Sequence, residues 1–116
     1  MANPNIAELT SIIGQTNGLS LTTAIQTLIA NGASTNQIYK VNNLLACNKT
    51  NADATVSVTV NINGTNYELV SELTIPARST IDIVDGSLYL TENSSISALA
   101  SANSTIDILG SFEKIT

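Results

Sequence analysis

Hydrophobic and polar residues alternate most regularly from Ala54 to Val70, on both sides of Asn63-Gly64. Asn-Gly between two alternating segments is typical of a two-residue β-hairpin, because a type I′ turn needs positive φ at both central residues. The predicted register places three pairs on an apolar face: Ile62 with Thr65, Val60 with Tyr67, and Val58 with Leu69. It places two pairs on a polar face: Asn61 with Asn66, and Thr59 with Glu68. The pattern therefore predicts an antiparallel ribbon with one side against a core.

The same reasoning predicts two more hairpins nearer the C-terminus. Asp85-Gly86 separates segments 80–84 and 87–90, and its type I′ turn would pair Ile83 with Leu88 and Ile81 with Leu90. The loop Ser101-Ala102-Asn103 separates segments 95–100 and 104–109, with these predicted pairs: Ile96 with Ile108, and Ala98 with Ile106. Gly110 is expected to interrupt the last strand before Phe112 and Ile115.

A long strand is predicted from Gln37 to Asn48, between loop 31–36 and a turn at 49–53. Its residues divide into two apolar sets, which indicates cover on both faces. One set is Tyr39, Val41, Leu45 and Cys47, and the other is Ile38, Leu44 and Ala46. The second arm of the first hairpin is expected to continue to Ile75 and end at Pro76, which has no N–H for a ladder.

Segment Leu19–Ala30 fits two patterns. Its apolar residues fall at helical spacing, with Ser20 as a helix N-cap and Gly32 just past the end. Its larger apolar residues also share one parity with threonines between them, which is a strand pattern. The β-rich surroundings favour a strand.

The N-terminal segment is predicted to be either an edge strand or an extended arm that reaches a neighbouring molecule. Gly14 is expected to end it, and Asn17-Gly18 to form a turn. Four apolar residues in it need cover and are the candidate interface residues: Ile6, Leu9, Ile12 and Ile13. An arm from Asn3 to Ile13 would add a strand to a neighbour's sheet, whereas an edge strand would stay in its own sheet.

Together these segments make eight or nine short strands separated by regular turn signals. Such a pattern predicts an all-β fold, namely an antiparallel β-sandwich of the jelly-roll kind. The chain of 116 residues is expected to form a single domain, because no linker or repeat divides it.

Composition narrows the function. Net charge is −5, and only four residues are cationic, so we predict no nucleic-acid binding. No apolar run approaches the ~20 residues of a membrane span, and the start lacks the charged and apolar regions of a signal peptide. We therefore expect no membrane partner and synthesis in the cytoplasm.

The residues also offer little chemistry. Histidine is absent, so the commonest general base and metal ligand is missing. Cys47 is the single cysteine and is predicted to be a buried, inert thiol. Glu68 and Glu72 would lie roughly 13 Å apart on a strand, which exceeds the spacing of glycosidase carboxylates. We predict no catalytic residues, no cofactor and no metal site. Asp82, Asp85 and Asp107 could bind a hard cation only if folding brought them together, and their spacing is not that of a calcium loop.

Several stretches, taken in order, resemble small virion structural proteins of tailed bacteriophages, especially those of cyanobacteria and other marine bacteria. They are Met1–Ile6, Ile38–Asn48, the valine-rich hairpin, Leu73–Asp82, Leu88–Glu92 and the final Ile-Asp-Ile strand with Phe-Glu-Lys-Ile. The resemblance spans nearly the whole chain, rests on structural motifs and implies a role in the virion without catalytic residues. The turn at Asn93-Ser94-Ser95 departs from the Gly-Asp type expected there.

We therefore expect a structural virion protein without enzymatic activity, most simply a capsid decoration or cement subunit. Its partners would be the major capsid protein or other virion proteins, with self-association, by symmetry as a trimer. One alternative is a neck, tail or baseplate component. Another is a carbohydrate-binding module for host attachment, although few aromatic residues are present to form a sugar platform.

Overall fold

The computed structural model describes residues 11–84 and 86–116, which form two packed antiparallel sheets. The described residues form nine strands: β1 (Ile12–Ser20), β2 (Gln26–Asn31), β3 (Ile38–Asn48), β4 (Ala54–Ile62), β5 (Thr65–Ile75), β6 (Thr80–Asp82), β7 (Leu88–Leu90), β8 (Ser94–Ala100) and β9 (Ile106–Ile115). The first sheet has the order β1-β9-β3, with both β6 and β7 beside β3, and the second has the order β2-β8-β4-β5. If β6 and β7 count as one interrupted strand, eight strands form two sheets, as in a jelly roll. The predicted fold class is confirmed.

The core lies between the two sheets and is built from alternating apolar residues. In β4 the buried residues are Ala54, Val56, Val58 and Val60, separated by half-buried threonine, serine and asparagine. β8 and β9 repeat the pattern from the two opposite sheets, with Ile96 and Ile106 fully buried. Each sheet thus turns one apolar face inward, which is the way a sandwich removes its β-branched side chains from water.

The hairpin at Asn63-Gly64 forms as predicted, with φ of 51° and 92° at its central residues. Four of the five predicted pairs are present, but the register shifts near Val58, which pairs with Val70 in place of Leu69. The shift is a β-bulge, which a strictly alternating reading of the sequence does not contain. Tyr67 has the predicted partner, Val60, yet its side chain is 56% exposed, as β5 is the edge strand of its sheet and is largely exposed from Thr65 to Glu68.

The predicted hairpin at Asp85-Gly86 is wrong, although Asp85 itself lies outside the described residues. β6 and β7 do not pair with each other but both pair with β3, opposite residues 45–47 and 39–41 respectively. The Asp82 carboxylate accepts hydrogen bonds from the N–H groups of Leu44 and Val84, at 3.1 and 3.2 Å. These bonds tie the end of β6 to β3, and the chain continues along the same edge.

The predicted hairpin at Ser101-Ala102-Asn103 is also wrong. β8 pairs with β2 and β4 in one sheet, whereas β9 pairs with β1 and β3 in the other. Ile96 and Ile108 both point into the core, but from opposite sides. A strand pair within one sheet and a crossing between sheets bury the same residues, so hydrophobic alternation does not distinguish them.

Neither Gly14 nor Asn17-Gly18 interrupts β1, contrary to prediction. A Cβ at Gly18 would lie 2.8 Å from Cδ2 of Leu109, the end of an exposed side chain that would have to move. Gly110 likewise does not break β9, and a Cβ on it would lie 2.8 Å from Cδ1 of Ile29. The glycines make room for neighbouring side chains within strands, which is a recognised alternative to a turn.

Segment Leu19–Ala30 contains no helix, so the preference for strand is confirmed. It is not one strand, however, because a bend at Thr23-Ala24 separates β1 from β2. The Thr22 hydroxyl accepts a hydrogen bond from the Ala24 N–H at 3.2 Å, which is a local bond typical of serine and threonine in turns.

The predicted strand at 37–48 is confirmed as β3, but its two faces are assigned wrongly beyond Val41. The register shifts between Val41 and Asn43, so Leu44 and Ala46 join Tyr39 and Val41 in the core. Cys47 therefore lies on the outer side and is half-buried, not buried as predicted.

Candidate interaction surface

The predicted interface residues fall partly outside the described residues, which exclude Ile6 and Leu9. Ile12 and Ile13 begin β1, where they pair with Ile115 and Lys114 of the same chain. Their side chains are 53% and 55% exposed, so pairing within their own sheet does not cover them. At these two positions the segment is the edge strand of its own sheet.

Five more large apolar side chains are exposed on the described surface, and the sequence did not single them out. They are Ile25, Ile62, Tyr67, Tyr89 and Leu109, at 44–57% exposure. Ile62 and Tyr67 lie on the same face of the first hairpin, since their strand partners are Thr65 and Val60. Only Ile62 and Tyr67 had a signal in the sequence, namely their position close to the turn at Asn63-Gly64.

The acidic residues serve the fold or the surface. Asp107 makes an ion pair with Lys49 at 3.0 Å, in which both side chains are more than 40% exposed. Such a pair adds at most about 1 kcal/mol to stability. Glu68 is exposed, and the Glu72 N–H donates to the Ser57 hydroxyl. In the described part of the chain, no three acidic or cysteine residues come together as a metal-binding group.

Two buried asparagines tie loops to strands at opposite ends of the sandwich. The Asn48 Nδ2 donates to the carbonyls of Ala52 and Ile75, and its Oδ1 accepts from the N–H and hydroxyl of Thr50. Asn31 similarly donates to the carbonyls of Gln37 and Leu90. Asn48 also begins an Asn-x-Thr triplet, but its amide is fully buried and fully bonded, so it is not an accessible glycosylation site.

A shallow depression of about 220 Å³ lies next to Asn31, lined by Ala30, Asn31, Gly32, Asn61, Asn93, Ser94 and Ser95. The Ser94 hydroxyl is buried without a hydrogen-bond partner, and so is Oε1 of the nearby Glu92. The other Glu92 oxygen accepts the N–H of Asn36. Hydrogen bonds within the chain hold this loop cluster together, and the polar side chains that line the depression are asparagines and serines, without a charged group.

None of the described segments forms a helix of sufficient length and apolar character to cross a membrane.

Comparison with known proteins places the fold but not the family. No family model matches the sequence, and no curated protein matches it. A solved structure from Bacillus, described as an endospore appendage of "a novel family of disulfide-linked pili", is similar over 100% of this chain and 96% of that chain. The TM-score is 0.60 and the sequence identity is 12%, so this likeness shows a shared sandwich architecture.

Proposed function

We propose that the chain is a structural subunit that works through protein–protein contacts in a larger assembly, and specifically that it decorates the head of a tailed bacteriophage. The observation that carries the proposal is the set of seven exposed large apolar side chains on the described surface. Ile62 and Tyr67 lie together on one face of the first hairpin, and apolar side chains exposed together mark interaction surfaces. The low charge of the chain, 11% of residues, favours close packing of subunits.

The phage version of the proposal is supported by the sequence resemblance to virion proteins. In that version the partner is the major capsid protein, and the exposed apolar side chains are the candidate contacts with it. A neck, tail or baseplate position would use the same contacts in a different part of the particle. These positions share one requirement, namely that the sandwich is a rigid body with contacts at its edges and ends.

A filament subunit is the second candidate, because the similar solved structure is a pilus protein. The disulfide linkage named for those pili does not transfer directly. Cys47 is the only cysteine in this sequence, so one subunit can form one bridge at most, and bridging would stop at pairs. A filament of this chain would therefore be held by non-covalent contacts.

The two candidates are tested by locating the chain in cells that carry its gene. Phage particles are purified by density gradient, surface filaments are sheared off separately, and the chain is quantified in both by mass spectrometry. We expect many copies per particle in the virion fraction. Enrichment in the filament fraction would favour the second candidate, and absence from both fractions would contradict a structural role.

A further inference from the structure

We infer that β1 is an assembly edge at which a second copy of this chain adds its own β1, antiparallel, to continue the first sheet across a two-fold axis. This inference deepens the proposed function and rests on it, since it names the surface and the partner through which subunits associate. It also replaces the trimer expected from symmetry with a two-fold pair.

The first argument is that the other sheet edges carry the devices that prevent strand addition. β5 has two register shifts, two glutamates and a positive φ of 51° at Glu72. β2 is six residues long with a register shift between Thr27 and Ile29. β6 and β7 have three residues each and leave a gap in the edge. Bulges, charges and short strands are the known ways to protect an edge.

β1 has none of these devices. It is nine residues long, pairs with β9 without a register shift, and contains no charged residue and no proline. Copies of a chain with a net charge of −5 repel one another, so an uncharged edge is where two copies approach at least cost.

The hydrogen-bond pattern identifies the free main-chain groups of β1. At the two ends of its ladder, the Leu21 N–H donates to the Ile106 carbonyl and the Thr116 N–H donates to the Ser11 carbonyl. Bonded and non-bonded pairs alternate in an antiparallel ladder, so the odd-numbered residues of β1 face β9. Five residues therefore direct their N–H and C=O groups to the side of β1 on which no other described strand pairs: Ile12, Gly14, Thr16, Gly18 and Ser20.

These five residues are symmetric about Thr16, which fixes the register of a two-fold pair. Thr16 would lie opposite Thr16 of the partner subunit, Gly14 opposite Gly18, and Ile12 opposite Ser20, so that every free group finds a partner. On the core side of the sheet, the exposed Ile13 would lie opposite Leu19 of the partner subunit, which is itself half-buried. Each two-fold pair thus gains two apolar contacts.

The register is tested by cross-linking in a Cys47→Ser background. Thr16→Cys places two thiols on a pair with Cα atoms about 5.5 Å apart, within the range that a disulfide spans. Gly14→Cys is the matched control, because it lies on the same face of β1 and a Cβ there meets no atom within 4 Å. In the proposed register its two thiols are four residues apart along the strand, roughly 13 Å. We expect disulfide dimers of Thr16→Cys to form at least about tenfold faster than those of Gly14→Cys, and equal rates would overturn the inference.

Sedimentation velocity over a range of concentrations separates this inference from the proposed function. Thr16→Lys puts two ammonium groups opposite each other at the axis, and we expect at least about a tenfold weaker self-association. Thr74→Lys makes the same change on the β5 edge, at another exposed threonine, and should leave association unchanged. Thermal melts confirm that both variants fold. If the wild type associates and Thr16→Lys has no effect, another surface is responsible and the inference fails while the structural role stands. If the wild type stays monomeric throughout, the inference fails, and the fractionation of particles decides the structural role separately.

Discussion

At the scale of single residues, the structure separates glycines that the backbone needs from glycines that packing needs. Gly64 has a φ of 92° with no atom within 4 Å of a Cβ position, so its requirement is conformational. Gly110 is required because the buried side chain of Ile29 occupies the space of its Cβ, whereas at Gly18 the exposed end of Leu109 lies in that space and can move. Sequence reasoning identified the first kind from the Asn-Gly pair. It mistook the second kind for strand breaks, because the packing partners lie far away in the chain.

Gly64→Val is expected to destabilise the protein by about 1–2 kcal/mol or more, since a β-branched residue resists the left-handed backbone. The measurement is urea unfolding at equilibrium. Gly14→Val is the control, because Gly14 lies in a strand with open space around it and valine favours strands. Equal stability of the two variants would show that the turn at Asn63-Gly64 does not need its left-handed conformation.

Cys47 is expected to react with a thiol reagent in the native protein, because it lies half-buried on the outer face of β3. Its labelling rate should stay nearly constant at urea concentrations below the unfolding transition. A buried thiol would behave differently, since its rate would rise with the population of open molecules. A rate that follows the unfolding free energy would place Cys47 in the core.

At the scale of elements, the sequence predicted where strands lie better than which strands pair. The alternating patterns located β3, β4, β5 and β8 closely, since a half-buried strand must alternate. The predicted pairing of β6 with β7 and of β8 with β9 was wrong. Each of these strands pairs with strands far away in the chain, and a turn signal between neighbouring strands does not reveal such partners. The bulges at Asn42 and Leu69 were not predicted either. The bulge at Asn42 moves the following residues of β3 to the opposite face, and the bulge at Leu69 gives Val58 a different strand partner.

The exposed apolar residues were also predicted only in part. Ile12 and Ile13 were recognised from their apolar character, and their exposure agrees with a need for cover. Ile62, Tyr67 and Leu109 were not recognised, because whether an apolar strand residue is covered depends on where the opposite sheet ends. The open edge of β1 was likewise hidden, since Gly14 and Asn17-Gly18 look like turn signals in sequence.

Deletion of residues 1–10 tests the arm hypothesis at this scale. Because β1 begins at Ile12 and keeps its ladder with β9, we expect the truncated chain to fold and melt cooperatively. If the deleted segment holds a neighbouring molecule, particles from cells that make only the truncated chain should contain much less of it. Occupancy is measured by mass spectrometry against the full-length chain, and unchanged occupancy would contradict an arm.

At the scale of the whole molecule, the described residues form a sandwich in which β1 is the longest sheet edge without bulges or charges, and large apolar side chains are exposed on both sheets. The described residues gather no acidic or cysteine cluster, and their buried polar groups mainly secure loops. These features are consistent with the proposed structural role, and the similar Bacillus appendage structure shares the sandwich architecture.

The proposed role in a phage head is tested most directly by cryo-electron microscopy of virus particles purified from cells that carry the gene. We expect repeated copies of the sandwich on the head, with β1 of each copy hydrogen-bonded to β1 of a neighbouring copy. A map in which the sandwich is missing from every part of the particle would contradict the virion role. A map in which the sandwich is present with β1 facing solvent would contradict the proposed edge.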